Sequence, residues 1–487
     1  MGPSLKICFA AAEVAPWVKT GGLADVAAGL PARLSALGHD VRLFVPLHFV
    51  SRLQDGALDS VPGIVDVPVE VGWRTHTFSA RTSTLPGTSQ PVFWIDCPEL
   101  FDRPAVYTAG DDDARRFTLF SRAVVECCQR MGWAPDIFHC NDWHAALIPF
   151  LLRTVYQWDA LFARSRKLVT IHNLGYQGLF PASLVGELGL ESWAHLLDQQ
   201  DLGAGRLNFL RTGIVYSDAI STVSPAYARE IQTEEYGMGL ADLLRGRRDT
   251  LVGILNGVDY AQWSPETDPH IPRHFSAAEI EGKRENKRHL LETLKLDGDL
   301  TAPLAGVVSR FAHQKGFDLC FEVLPEFLSG TDLRLVALGS GEARYEEFFA
   351  DLQRRFPRTV CYHRGYNDPM AHAIEAASDL FLMPSRYEPC GLNQMFSMRY
   401  GTLPVVRRTG GLADSVIEVD PTAGSGTGFV FEHFTADGLR WALGRALDAW
   451  RDPTLWRRLM LNAMSQDFSW DKQVGSYVEL YRNLVSR

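Results

Sequence analysis

The chain has 487 residues, 46% of them hydrophobic and 22% charged, with a formal net charge of −10. This length exceeds one ordinary core and predicts two large domains of globular composition. The acidic balance argues against a nucleic-acid or anionic-membrane partner, because polyanion binding needs a basic face. A small phosphorylated ligand remains compatible, since it needs only two or three local cations.

A first series of strands is predicted at 5–11, 41–47, 92–97, 137–141, 168–172, 219–223 and 251–255, with helix-like runs between them. The first strand starts almost at once and leaves no room for a signal peptide. A polar, proline-containing stretch at 256–276 precedes a charged helix-like run at 277–294 and marks a domain boundary. A second series follows at 304–310, 334–338, 360–364, 380–383 and 403–407, then apolar helical segments after 436 and a closing helix near 472–485. Short apolar strands alternating with helices indicate α/β domains with parallel sheets. None of the 8 cysteines is spaced as C-x-x-C, which fits reduced thiols in a cytoplasmic protein. No apolar run reaches the roughly 18 residues of a membrane span.

One hexapeptide occurs twice, as Thr20-Gly21-Gly22-Leu23-Ala24-Asp25 and as Thr409-Gly410-Gly411-Leu412-Ala413-Asp414. Lys19 precedes the first copy and Arg408 the second. Each follows a strand-like run and opens a helix-like one, where backbone N–H groups can face an anion. A single glycine-rich turn fits tight βα packing equally well. Arg310 ends a predicted strand and Lys315 follows in its loop, two cations suited to a diphosphate or to a solvated surface. Glu388 sits before Pro389 on the loop after strand 380–383, placed either to grip sugar hydroxyls or to cap the next helix. His139–His144 and Thr170–Tyr176 follow strands of the first half, with Trp143 and Tyr176 offering flat faces for sugar stacking. The D-x-D patterns at 111–113 and 297–299 follow no strand and read as helix starts or turns.

Together these segments resemble the bacterial glycogen synthase and plant starch synthase family. The likeness runs over essentially the whole chain. It is carried by Lys19–Asp25, Asn141–His144, Thr170–Asn173, Asn256-Gly257-Val258-Asp259, Arg310 with Gln314-Lys315-Gly316, Glu388–Leu392, and Arg399-Tyr400-Gly401-Thr402 leading into Thr409–Asp414. The resemblance implies a GT-B fold, two Rossmann-like domains with parallel sheets facing a deep interdomain cleft. It implies domains at 1–257 and 258–459, with a terminal helix from about 460 to 487 packing back on the first. The implied reaction moves glucose from ADP-glucose to the non-reducing end of an α-1,4-glucan such as glycogen, with retention, without a metal and without a cofactor. UDP-glucose preference and a non-catalytic glucan-binding protein are the alternatives.

By the same resemblance, Lys19 and the Gly21 and Gly22 backbone meet the donor diphosphate from one domain, with Asp25 as an acceptor beside them. Arg310 and Lys315 meet it from the other. Glu388 grips the glucosyl hydroxyls and His172 lies near the reacting carbon. Asp142, Trp143 and Asn173 shape the acceptor side, and Asn256 lines the cleft. Tyr366, Cys390, Gly391, Leu392 and Asn393 lie near the nucleotide, and Thr409, Gly410 and Gly411 near the donor's sugar or phosphate. Asn393 stands where bacterial members often carry Thr. Phe396 stands where wider retaining transferases of this fold place a second glutamate.

Overall fold

The computed structural model describes residues 3–52 and 58–486. It divides into two units. The first contains residues 1–223, 228–257 and 470–487; the second contains 224–227 and 258–469.

The first unit carries strands β1 (Lys6–Ala10), β2 (Asp40–Pro46), β3 (Asp59–Ser60), β4 (Val67–Val71), β5 (Arg74–Thr84), β6 (Pro91–Asp96), β7 (Ile137–Asn141), β8 (Arg166–Ile171), β9 (Leu179–Pro181), β10 (Arg206–Asn208), β11 (Ala219–Thr222) and β12 (Leu251–Gly253). The main sheet runs β12-β11-β8-β7-β1-β2-β6-β5-β3, with β4 paired to β5. Its pairs from β12 to β6 are parallel, and those involving β3, β4 and β5 are antiparallel. All five residues of β7 are buried, as are four of the five in β1. Burial on both faces is what covering helices impose on central parallel strands.

The antiparallel extension is not among the predicted strands. Residues 67–71 alternate buried and exposed, unlike the continuous apolar runs of the central strands. Antiparallel β9 and β10 form a small separate sheet.

The second unit carries β13 (Leu304–Phe311), β14 (Arg334–Gly341), β15 (Val360–Arg364), β16 (Leu380–Met383), β17 (Leu403–Arg407) and β18 (Phe429–Phe431). They form one all-parallel sheet in the order β15-β14-β13-β16-β17-β18. Counted within the unit this is 3-2-1-4-5-6, the doubly wound order that binds ligands where the winding reverses. The first unit's sheet reverses likewise, between β1 and β7. Both reversals open at the carboxyl ends of their strands. Among the described residues no helix is long and apolar enough to cross a membrane.

The terminal stretch divides. Helix Pro453–Met464 lies in the second unit, whereas helix Trp470–Val485 packs within the first. Trp470 seats against two glycines: a Cβ on Gly29 would stand 1.9 Å from its ring, and one on Gly257 2.4 Å from it. An Arg33–Asp471 ion pair and a 2.8 Å bond between Tyr481 Oη and His139 Nδ1 hold the helix along its length.

Candidate active site

In the second unit the sheet reverses between β13 and β16. Arg310 lies at the end of β13, Lys315 in the loop after it, and Ser385 and Glu388 in the loop after β16. Two short loops are tied together here. The Arg386 amide donates to Gln314 O at 2.9 Å, and Gly316, at φ +70°, packs so closely that a Cβ would stand 2.1 Å from Pro384 O. Gly316 is therefore required on both conformational and steric grounds.

This tie brings Lys315 Nζ to 2.6 Å from Glu388 Oε2, to which Ser385 Oγ also donates at 3.0 Å. Glu388 is only 4% exposed. The Arg310 guanidinium is exposed and, among the described residues, has no ion-pair or hydrogen-bond partner. A cation paired to a buried carboxylate and a second, exposed cation thus both come from the segment at the carboxyl end of β13.

The second TGGLAD copy braces this loop. Gly410 has φ +44°, and its Cβ would stand 1.9 Å from Glu388 O; a Cβ on Gly411 would stand 2.1 Å from Cys390 O. The Gly411 amide already donates to Glu388 O at 3.0 Å and Pro389 O at 3.1 Å. The expectation that it faces a ligand is therefore corrected: Gly411 fixes the Glu388 carbonyl instead. Thr409 is the residue before helix Gly410–Ser415 and is buried. That helix has six residues, against fifteen in Gly22–Ala36.

Around the same loop, Cys390 is buried, Gly391 takes φ +70°, and Leu392 leads into helix Asn393–Arg399. Asn393 Nδ2 donates to Val308 O at 3.1 Å, tying this helix to β13. Tyr366 is 66% exposed and its hydroxyl donates to Asp368 Oδ1 at 2.5 Å. Arg408 pairs with Glu432 at 2.6 Å.

The first unit repeats the plan with different chemistry. After β1, the first TGGLAD turn closes over Glu13. The Thr20 amide donates to Glu13 Oε2 at 2.5 Å, the Gly21 amide to the same oxygen at 3.3 Å, and Thr20 Oγ1 to Oε1 at 2.6 Å. The Tyr107 hydroxyl also donates to Oε1. The anion expected at these amides is in this structure the protein's own carboxylate. Glu13 gives no signal in the sequence, because no spacing links it to the glycines. Lys19 Nζ pairs with Asp25 Oδ1 at 2.7 Å, and both remain partly exposed.

At the end of β7, Asp142 takes φ +55°, a costly conformation for a residue with a Cβ. Its Oδ1 accepts the His172 amide at 2.7 Å, and the Asn173 amide also bonds its carboxylate. Burial nonetheless pushes its pKa up to about 7, outweighing those amide bonds. His172 Nε2 bonds Asn141 Oδ1 at 2.9 Å, while Asn141 Nδ2 donates to Ala10 O. Burial lowers His172 to about 3, so its imidazole is neutral near pH 7. His139, pinned between Tyr481 and Thr170, is lowered to about 3 by burial and by His172.

Trp143 requires a correction. It is 8% exposed, with its ring 4.0 Å from that of His144, 4.9 Å from Phe117 and 5.7 Å from Phe180, and a Cβ on Gly178 would stand 2.6 Å from it. Its faces are filled by core rings rather than offered to a sugar. Tyr176, by contrast, is 52% exposed. Asn256 is buried, and its Oδ1 has no hydrogen-bond partner among the described residues. Of the D-x-D patterns, Asp113 is buried against Arg116 and accepts the Thr108 and Ala109 amides at the start of a helix. Asp299 caps a turn at Thr301.

The family model described as starch synthase catalytic domain matches residues 6–246, and that described as glycosyl transferases group 1 matches 295–458. The chain is 44% identical to the glycogen synthase of Koribacter versatilis over 481 residues, 98% of each chain. It is 42% identical to that of Thermotoga maritima over 486 residues, 99% of each. The catalytic domain of Starch Synthase IV from Arabidopsis thaliana, solved with ADP and acarbose, superposes with a TM-score of 0.91 at 36% identity and full coverage of both chains. Sucrose-phosphate synthase from Thermosynechococcus elongatus shares the fold at a TM-score of 0.59 and 17% identity, covering 99% of each chain. Two doubly wound sheets and end-to-end identity above 40% to bacterial glycogen synthases place the chain in the glycogen and starch synthase family, glycosyltransferases of the GT-B fold.

Proposed function

We propose that the protein elongates an α-1,4-glucan by transferring glucose from ADP-glucose to the non-reducing end, with retention and without a catalytic metal. The observation that carries this reading is the Lys315–Glu388 pair at the reversal point of the second sheet, with the exposed Arg310 at the end of the strand that leads into it. A sugar joined to a diphosphate presents hydroxyls next to dense negative charge, and this trio offers a carboxylate next to two cations. The Arabidopsis relative solved with ADP and acarbose supports both an adenine nucleotide and a glucan-like ligand.

In this reading the bond from the glucosyl C1 to the diphosphate oxygen breaks, and its electron pair leaves on ADP. Arg310 and Lys315 stabilise that developing charge, as fixed cations do without reorganising. Lys315 is already oriented by Glu388, so the carboxylate both grips a glucosyl hydroxyl and aims the ammonium. The acceptor hydroxyl oxygen bonds C1 from the same face, and its proton passes to the departing phosphate. His172, held neutral, lies near the reacting carbon as a hydrogen-bonding group without charge. Asp142 and Asn173 shape the acceptor side. Lys19, together with the turn that Glu13 supports, contributes to the donor phosphates. Tyr366 and the 390–393 segment meet the nucleotide.

The deciding assay incubates the protein with glycogen and either ADP-glucose or UDP-glucose, and measures nucleotide release and chain growth. ADP release matched by chain growth is expected. Preference for UDP-glucose overturns the donor assignment, and nucleotide release without growth overturns transfer in favour of hydrolysis.

A further inference from the structure

A cluster separate from the Lys315–Glu388 pair has the chemistry of a metal site. Asp368 and His372 lie four residues apart on helix Asp368–Ala377, a spacing that places both on one face. His270 approaches from the segment before helix Gly282–Thr293. His270 Nε2 lies 3.8 Å, and His372 Nε2 3.9 Å, from Asp368 Oδ2. All three ligand atoms lie within 4.8 Å of one another.

What separates this cluster from a chance grouping is the shell behind it. His372 Nδ1 donates to Asp268 Oδ2 at 2.8 Å, which fixes the tautomer and leaves the Nε2 lone pair directed at Asp368 and His270. Asp268 is wholly buried and also accepts the Tyr400 hydroxyl at 2.5 Å and the His270 amide at 2.9 Å. The His372 ring is stacked on Trp263 at 3.7 Å and 10°, and Trp263 is stacked in turn on Phe396 at 4.1 Å. Asp368 is oriented by the Tyr366 hydroxyl on Oδ1, leaving Oδ2 toward the histidines. A buried carboxylate behind a histidine is the usual outer shell of a zinc ligand.

We propose that His270, Asp368 and His372 bind one zinc ion, with solvent completing the coordination. Two imidazoles and a carboxylate are a zinc-competent donor set, with bonds of about 2.0–2.2 Å. In a tetrahedral site such bonds place ligand atoms about 3.4 Å apart. The two distances to Asp368, 3.8 and 3.9 Å, must therefore shorten by about half an ångström, and the pair of imidazole nitrogens by up to about 1.4 Å. The solvent-exposed His270 and Asp368 side chains can supply these movements by rotation about their own side-chain bonds. The site shares no residue with the Lys315–Glu388 pair, and it touches the residues assigned to the donor only through the Tyr366 hydroxyl on Asp368.

The test uses the full chain without an affinity tag, stripped by chelation and dialysed against ZnCl2, with bound metal measured by elemental analysis. One zinc per chain is expected in the wild type. His270→Ala and Asp368→Ala should each abolish it while leaving the apo melting temperature unchanged, since both side chains are solvent-exposed. Asp268→Asn, which keeps the ligands but weakens their orientation, should lower zinc affinity about 10–100-fold. Cobalt substitution should give visible absorption in the wild type and none in the His270→Ala variant. No bound zinc in the wild type, or undiminished binding in a His270→Ala/Asp368→Ala double variant, overturns the proposal.

Discussion

The Lys315–Glu388 pair allows a structural role to be separated from a chemical one by a double-mutant cycle. The charged atoms are 2.6 Å apart, with side chains 19% and 6% exposed. At an effective dielectric constant of about 20, unit charges 4 Å apart attract by about 4 kcal/mol. Desolvation of Glu388 and solvent screening at Lys315 reduce the net coupling to about 1–3 kcal/mol. Lys315→Ala leaves a buried carboxylate without its cation, so each single variant should lose stability in urea denaturation. The double variant should lose less than the sum of the singles, by that same coupling. Catalysis should behave differently. Removing a group that stabilises the departing diphosphate costs about 10²–10³-fold in kcat, or roughly 2.7–4 kcal/mol. Both single variants should show such a loss in ADP release from ADP-glucose with glycogen present. The double should fall little further, because groups acting as a unit are not additive. If kcat stays within about threefold of wild type in both singles while stability falls, the pair merely staples two loops. The donor-site assignment would then be refuted.

Two further outcomes follow from the geometry. Gly21→Ala and Gly411→Ala each alter a glycine of the same repeated hexapeptide but should diverge. Gly21 is extended, and no atom lies within 4 Å of where its Cβ would stand, so thermal stability should change by under about 1 kcal/mol. Gly411→Ala forces a Cβ to 2.1 Å from Cys390 O and should cost about 1–3 kcal/mol or more, along with activity. Equal melting temperatures would contradict the unequal roles. Asp142 is held near 7 against 3.8 in an unfolded chain, so the folded state binds its proton more tightly. That contribution is complete below about pH 4 and is lost as the pH rises through about 7, up to about 4 kcal/mol. Urea titrations across this window should show the stability difference between Asp142→Asn and wild type changing with pH. A constant difference would refute the assignment of a raised pKa to this carboxyl.

The strands that carry the site are legible because each is a short apolar run, and a parallel strand buried on both faces has little other way to read. Residues 137–141, 360–364, 380–383 and 403–407 are strands with the same limits that the sequence predicts. The polar residues that follow β7, β8, β13 and β16 are legible for a related reason. Loops at the carboxyl edge of such a sheet are where polar side chains have a use, so Asp142, His172, Lys315 and Glu388 stand out against their apolar approaches. The antiparallel β3–β5 region is not legible, because one exposed face weakens the apolar signal.

The α/β class, the alternation that builds two parallel sheets, and the positions of the charged loops are all encoded in the local patterning of apolar and polar residues. What each loop residue touches is not encoded there, and depends on how distant segments pack. Packing fills the first glycine turn with Glu13 and commits the Gly411 amide to the Glu388 carbonyl. It buries Trp143 among Phe117, His144 and Phe180, and it brings His270 from a distant segment to Asp368 and His372. Two identical hexapeptides acquire different roles because the atoms that crowd or bond a glycine come from elsewhere in the chain, and their approach is set by packing rather than by neighbouring residues.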